Sequence, residues 1–192
     1  TQVLHEDRRC RVSRIGIQIG ASTPPRRLAE IACKAEDLGY CEMWFAEDYF
    51  ELGGIATVAT ALAATDHIPV GLGVVAARVR HPAVTAMEFA TLAGAHPSRL
   101  LAGLGHGAPG WMRQMALEPE SPMGLLREAT VGIRRLLSGE AVTEAGTYFE
   151  FRDVKLDHPP PQPVPLYYGV QGPASLRLSG ELAEGTLLGW LS

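Results

Sequence analysis

Lysine is almost missing from this sequence. Only Lys34 and Lys155 accompany fifteen arginines among the 17 basic residues. The 21 acidic residues outnumber them and leave a formal net charge of −4, so a sequence-independent grip on nucleic acid is not expected. The skew toward arginine reads as codon bias rather than chemistry. Cysteine is scarce too. Cys10, Cys33 and Cys41 show neither a CxxC nor a ligand-like spacing, which argues against a disulfide framework or a zinc site and for a reducing, cytoplasmic setting. No apolar run approaches about 18 residues, so no membrane span is expected. Thr1 to Arg14 is polar and lacks the apolar core of a secretory signal. GxSxG, HExxH and Walker-type GxxxxGK motifs are all absent, so hydrolase triads, catalytic metals and P-loops have no support.

What is present is an ordinary globular composition: 192 residues, 46% hydrophobic and 20% charged. That length fits one domain and lets folding bury roughly 70% of the chain's surface. Glycine and proline, 21 and 14 residues, imply frequent turns. Short apolar runs alternate with helical patterns. Strands are predicted at 14–20, 41–46, 68–75, 100–105, 164–170 and 186–191. Helices are predicted after Pro24–Pro25, over 55–65, over 82–95, over 121–137 and from Gly172–Pro173 to near Gly185. Residues 141–156 read as a short hairpin, and Pro159–Pro163 as an extended connector. Strands apolar on both faces, alternating with helices, predict a parallel sheet covered on both sides. A doubly wound sheet and a β/α barrel both satisfy that pattern.

Either architecture binds ligands at the C-terminal ends of its strands. Five stretches fall there: 20–22, 47–49, 73–75, 105–107 and 169–173. Glu47 and Asp48 are adjacent carboxylates, which a strand would point to opposite sides; they read as pocket acids or as solvated loop acids. Gly105-His106-Gly107-Ala108-Pro109-Gly110 matches a dinucleotide-binding pattern, but only weakly, because Pro109 interrupts the turn and no acid closes a following strand. His106 is nevertheless the best-placed functional histidine; His81, before Pro82, reads as a helix-start residue. At Gln171-Gly172-Pro173-Ala174 a strand gives way to a helix. Its free N–H groups and dipole suit an anion, and Gly172 removes an obstructing side chain; an ordinary helix start reads equally well.

Several pieces in this order resemble the luciferase-like flavin- and deazaflavin-dependent oxidoreductases. They are 35–40 (AEDLGY) with Trp44, 46–49 (AEDY), 71–75 (GLGVV), 80–83 (RHPA), 99–107 (RLLAGLGHG), 169–173 (GVQGP) and 180–185 (GELAEG). The closest branch is the coenzyme F420-dependent methylenetetrahydromethanopterin reductase type. The resemblance covers residues 14–191 and implies an eight-stranded β/α barrel, of which about six units are present. The chain is thus expected to be a single, C-terminally incomplete domain, 1–192, with an insertion region at 108–164. It further implies hydride transfer between coenzyme F420 and an organic substrate at the mouth of the barrel. A non-prolyl cis peptide at Gly73–Val74 would back the ring, Gly105 and Gly107 would flank it, and Gln171, Gly172, Pro173 and Ala174 would hold the phosphate. Asp48, Glu47 and His106 are the catalytic candidates. Relatives using coenzyme F420 often carry an acid followed by His where this chain has Glu47-Asp48. Two alternatives stand beside this reading: an FMN-dependent monooxygenase of the same fold, and a non-catalytic flavin-binding or dimerising protein. A small-molecule substrate and a homodimer are the expected partners.

Overall fold

The computed structural model describes residues 15–188. Its strands and helices run β1 (Gly16–Ile19), α1 (Leu28–Asp37), β2 (Glu42–Phe45), α2 (Gly54–Ala64), β3 (Val70–Leu72), β4 (Val75–Ala76), α3 (Pro82–Ala95), β5 (Leu100–Gly105), α4 (Pro109–Gln114), α5 (Pro122–Leu137), β6 (Val142–Ala145), β7 (Glu150–Val154), β8 (Leu166–Gly169), α6 (Pro173–Leu182) and β9 (Gly185–Leu187).

The helices begin and end where the sequence chemistry allows. Pro82 opens α3, and the His81 Nδ1 accepts the Ala83 N–H at 3.2 Å. Ser121 Oγ caps α5 by accepting the Gly124 N–H at 3.2 Å, with Pro122 in the first turn. A proline-led 3-10 turn, Pro25–Arg27, feeds α1, which buries Leu28, Ala32 and Ala35 and stops before Gly39. Sequence periodicity located α3 and β5 to the residue. The predicted 68–75 strand instead divides into β3 and β4 around the Gly73–Val74 bond. Pro109 does not interrupt the turn after β5 but opens α4, because a proline in the first turn of a helix forfeits no intrahelical hydrogen bond. The last predicted strand is described only as β9; its residues 189–191 lie outside the described residues.

Strand order decides between the two architectures. All ladders of the main sheet are parallel, and the order is β1-β2-β3-β5-β8-β9 with β4 also pairing β5. The order follows the chain without reversing, so there is no topological switch point as in a doubly wound sheet. Six strand positions form an arc of a β/α barrel, and helices cover its outer side. Met43, Trp44 and Phe45 of β2 are all buried, as are Val70, Gly71 and Leu72 of β3, as expected of strands packed on both faces. The core continues through Val58, Leu62, Phe89, Leu104, Leu126 and Ile133. Between β5 and β8 the chain leaves this rhythm. The antiparallel pair β6–β7 closes a hairpin whose tip N–H groups, those of Thr147, Tyr148 and Phe149, donate to Glu128 of α5.

Two side chains bind the N-terminal end of the sheet. Glu36 accepts the N–H groups of Asp66, His67 and Ile68. Arg99 donates to the carbonyls of Leu62, Thr65 and Ile68. Cys33 is a free thiol. Cys41 is disulfide-bonded, whereas the cysteine spacing had argued against a disulfide framework.

Candidate active site

The C-terminal ends of the strands surround a cavity of about 870 Å³, within the size range of small-molecule and cofactor pockets. Its floor carries the expected bulge: the Gly73–Val74 peptide is cis, and both residues line the cavity. Glycine is required beneath it. A Cβ on Gly103, Gly105 or Gly169 would lie 2.7–2.8 Å from a Val74 methyl. Gly105 therefore makes room for Val74 rather than lining the cavity itself. A second cis peptide, Tyr49–Phe50, lies in the loop after β2, and no pattern in the sequence pointed to it.

The two adjacent acids part company in this loop. Glu47 is buried, and both its oxygens are engaged. Oε1 accepts the Tyr49 hydroxyl at 2.8 Å and Arg80 Nη1 at 3.0 Å; Oε2 accepts the Gly54 N–H at 2.7 Å and Arg80 Nη2 at 3.2 Å. Arg80 also lies 3.5 Å from Glu88, whose carboxyl is raised by burial and by the charge of Glu47, against the pull of Arg80. Asp48 lines the same cavity, and its carboxylate has no partner among the described residues. Tyr49 is pushed well above the usual phenol range, first by burial and then by the charge of Glu47, so it stays neutral.

His106 also lines the cavity. Its Nδ1 is 3.2 Å from the Pro122 carbonyl and its Nε2 is 3.3 Å from Ser175 Oγ. The carbonyl can only accept, which places the proton on Nδ1. Burial lowers the pKa of the ring, against the pull of that carbonyl, so the neutral imidazole turns Nε2 as an acceptor toward the Ser175 hydroxyl, which also lies 3.3 Å from Met123 Sδ. The histidine thus ties the β5 loop to the starts of α5 and α6.

Of the other expected cofactor contacts, Gly107 and Gln171 line the cavity, whereas Gly172, Pro173 and Ala174 form the start of α6 beside it. Gly172 has φ +87° with open space around a notional Cβ, so glycine is demanded by the backbone there, not by crowding. Sequence reasoning missed Gln18, Trp44, Trp111 and Arg80 as parts of the site. Arg80 was visible inside an Arg-His-Pro run, but its reach to Glu47 across 33 residues was not.

A profile of the luciferase-like monooxygenases matches residues 10–191. The chain belongs to the luciferase-like monooxygenase family. Within this family it is 31% identical over 173 residues to the 5,10-methylenetetrahydromethanopterin reductase of Methanolobus tindarius, covering 90% of this chain and 53% of that protein. It is 36% identical over 173 residues to the coenzyme F420-dependent glucose-6-phosphate dehydrogenase of Microbacterium testaceum, covering 84% and 52%. The coenzyme F420-dependent tetrahydromethanopterin reductase of Methanopyrus kandleri superposes with a TM-score of 0.82 at 26% identity, over 90% of this chain and 55% of that one. This luciferase-like chain therefore spans about half the length of the curated relatives it matches. Among its described residues, no helix is long and apolar enough to cross a membrane.

Proposed function

We propose that this chain carries the cofactor-binding half of an oxidoreductase that exchanges a hydride between coenzyme F420 and a small organic substrate. The observation that carries the reading is the mouth cavity, floored by the Gly73–Val74 bulge, in a chain whose relatives include enzymes dependent on that coenzyme. The residues present fit such a group. Val74, seated on three glycines, offers an apolar backing for a flat ring. The N–H groups of Gly172 and Ala174 stand at the start of α6, where a phosphate is favoured, and Pro173, which has no N–H, sets the first turn. Gln171 stands between the two regions.

When bound, the coenzyme supplies the hydride acceptor or donor. The protein supplies position and proton handling. In the oxidative direction Asp48 would accept the hydroxyl proton of a substrate alcohol as that alcohol is oxidised to the carbonyl. Asp48 is the candidate because its carboxylate is unengaged and faces the cavity. Glu47 acts by holding Tyr49 and the loop, not by moving a proton. His106 contributes a fixed polar wall. A homodimer completes the reading, and light scattering of the purified chain gives its mass directly.

Titration of the purified protein with coenzyme F420 and with FMN, followed by absorbance and fluorescence, tests the reading. Saturable binding of coenzyme F420 without FMN is expected. Binding of FMN alone favours the monooxygenase alternative, and binding of neither overturns both. In an active preparation Asp48→Asn is expected to lower turnover by about 100-fold while leaving coenzyme binding intact.

A further inference from the structure

We infer that the substrate side of this cavity is an aromatic corner, Tyr49 against Trp111, and that it accepts a neutral, largely apolar alcohol or carbonyl compound in preference to a phosphorylated one. The inference rests on the hydride-transfer reading above and names the substrate class for that same site.

The two rings come from distant segments, the loop after β2 and helix α4. They meet edge to face with centroids 5.7 Å apart and planes at 76°, and both line the cavity. Neither belongs to a segment assigned to the coenzyme. Each is held in place. The Tyr49 hydroxyl donates to Glu47 at 2.8 Å. With its proton engaged inside the protein, the side chain offers incoming molecules chiefly its ring. Trp111 is presented by a turn that only these residues make easily: Gly107 has φ +78°, and Pro109 opens α4. The next residue, Met112, is buried and anchors the helix.

The charges around the corner point the same way. Among the described residues lining the cavity there is no lysine and no arginine, while Glu47, Asp48 and Glu118 are acidic. The charge of Glu47 is matched by Arg80, and that of Glu118 by Arg113. An anionic substrate would meet no unmatched cation here and would face Asp48. A neutral molecule pays none of this repulsion and gains contact with two aromatic surfaces.

Cyclohexanone and glucose 6-phosphate serve as neutral and anionic probes. Their affinities are measured by ligand-observed NMR on the full chain, with and without coenzyme F420, for the wild type, Trp111→Ala and Trp111→Phe. The ketone is expected to bind about three- to tenfold more weakly to Trp111→Ala and to recover in Trp111→Phe. Coenzyme affinity should be unchanged in both variants, and glucose 6-phosphate should not compete with the ketone. If Trp111→Ala does not fold, Trp111→Leu, which keeps bulk but no ring, gives the same comparison. Unchanged ketone affinity, a loss of coenzyme affinity instead, or tighter binding of the sugar phosphate overturns the inference. A wild type that binds no coenzyme overturns the functional reading separately, because the ketone titration is read without coenzyme as well.

Discussion

Glu47 offers two oxygens, and four hydrogen bonds reach them. Such a carboxylate is a clamp: protonating or neutralising it would strand Arg80 and release the loop that carries Asp48 and Tyr49. Glu47→Gln is expected to cost about 2–3 kcal/mol in urea unfolding, below the full cost of breaking a buried pair because the Arg80 side chain is still 24% exposed. His106 makes a second prediction at this scale. Its folded pKa is depressed by burial, so the native state binds a proton less readily than the unfolded chain, whose imidazole titrates near ~6.5. Stability from this group is present above that pH and is lost as the pH falls below it. The melting temperature is therefore expected to drop between pH 7.5 and 5.5, and His106→Gln should remove part of that drop. Sequence reasoning found both residues and ranked them as chemistry. What it could not see were their partners, Arg80 for one and the Pro122 carbonyl and Ser175 for the other, which only folding brings near.

Among the elements, β5 is the most tightly constrained. Its Gly103 faces the cis bulge so closely that a Cβ would fall on the Leu72 carbonyl oxygen and against a Val74 methyl. Backbone cannot yield as a flexible side chain can, so Gly103→Ala is expected to cost about 2 kcal/mol or more in denaturant unfolding and to weaken coenzyme binding by displacing Val74. The helix α5 tests a more local rule. Removing its cap with Ser121→Ala frees the Gly124 N–H and should cost about 1 kcal/mol, with no effect on the Arg80–Glu47 pair. The alternation of strands and helices was legible because central strands such as β2 and β3 are buried on both faces and helices such as α1 and α5 bury one face. The short helix α4 was not legible: six residues give too little periodicity, and its opening proline read as a break.

Across the whole molecule, the two ends of the sheet have different tasks. The C-terminal ends hold the cavity. The N-terminal ends are bound by Glu36 and Arg99, whose hydrogen bonds join α1, α2 and β3 far from any candidate site residue. Arg99→Ala would orphan several carbonyls and is expected to destabilise the fold by about 3 kcal/mol. Below the melting transition it should leave coenzyme affinity unchanged, whereas Glu47→Gln should alter both; one titration series on the two variants separates these roles.

The sequence alone determined the parallel β/α class, the positions of most elements and the family, because binary patterning, helix caps and glycine-rich strand ends are local properties. It also located the bulge at Gly73–Val74, through the family resemblance. Tertiary structure decided the rest. It laid out the barrel arc that the family resemblance had implied, since strand order is not written in periodicity. It separated Glu47 from Asp48 at the same cavity, tying Glu47 to Arg80 and leaving the Asp48 carboxylate without a partner among the described residues. It set Tyr49 against Trp111, a contact between residues 62 apart in the chain that depends on the turn at Gly107 and on a buried carboxylate to hold it.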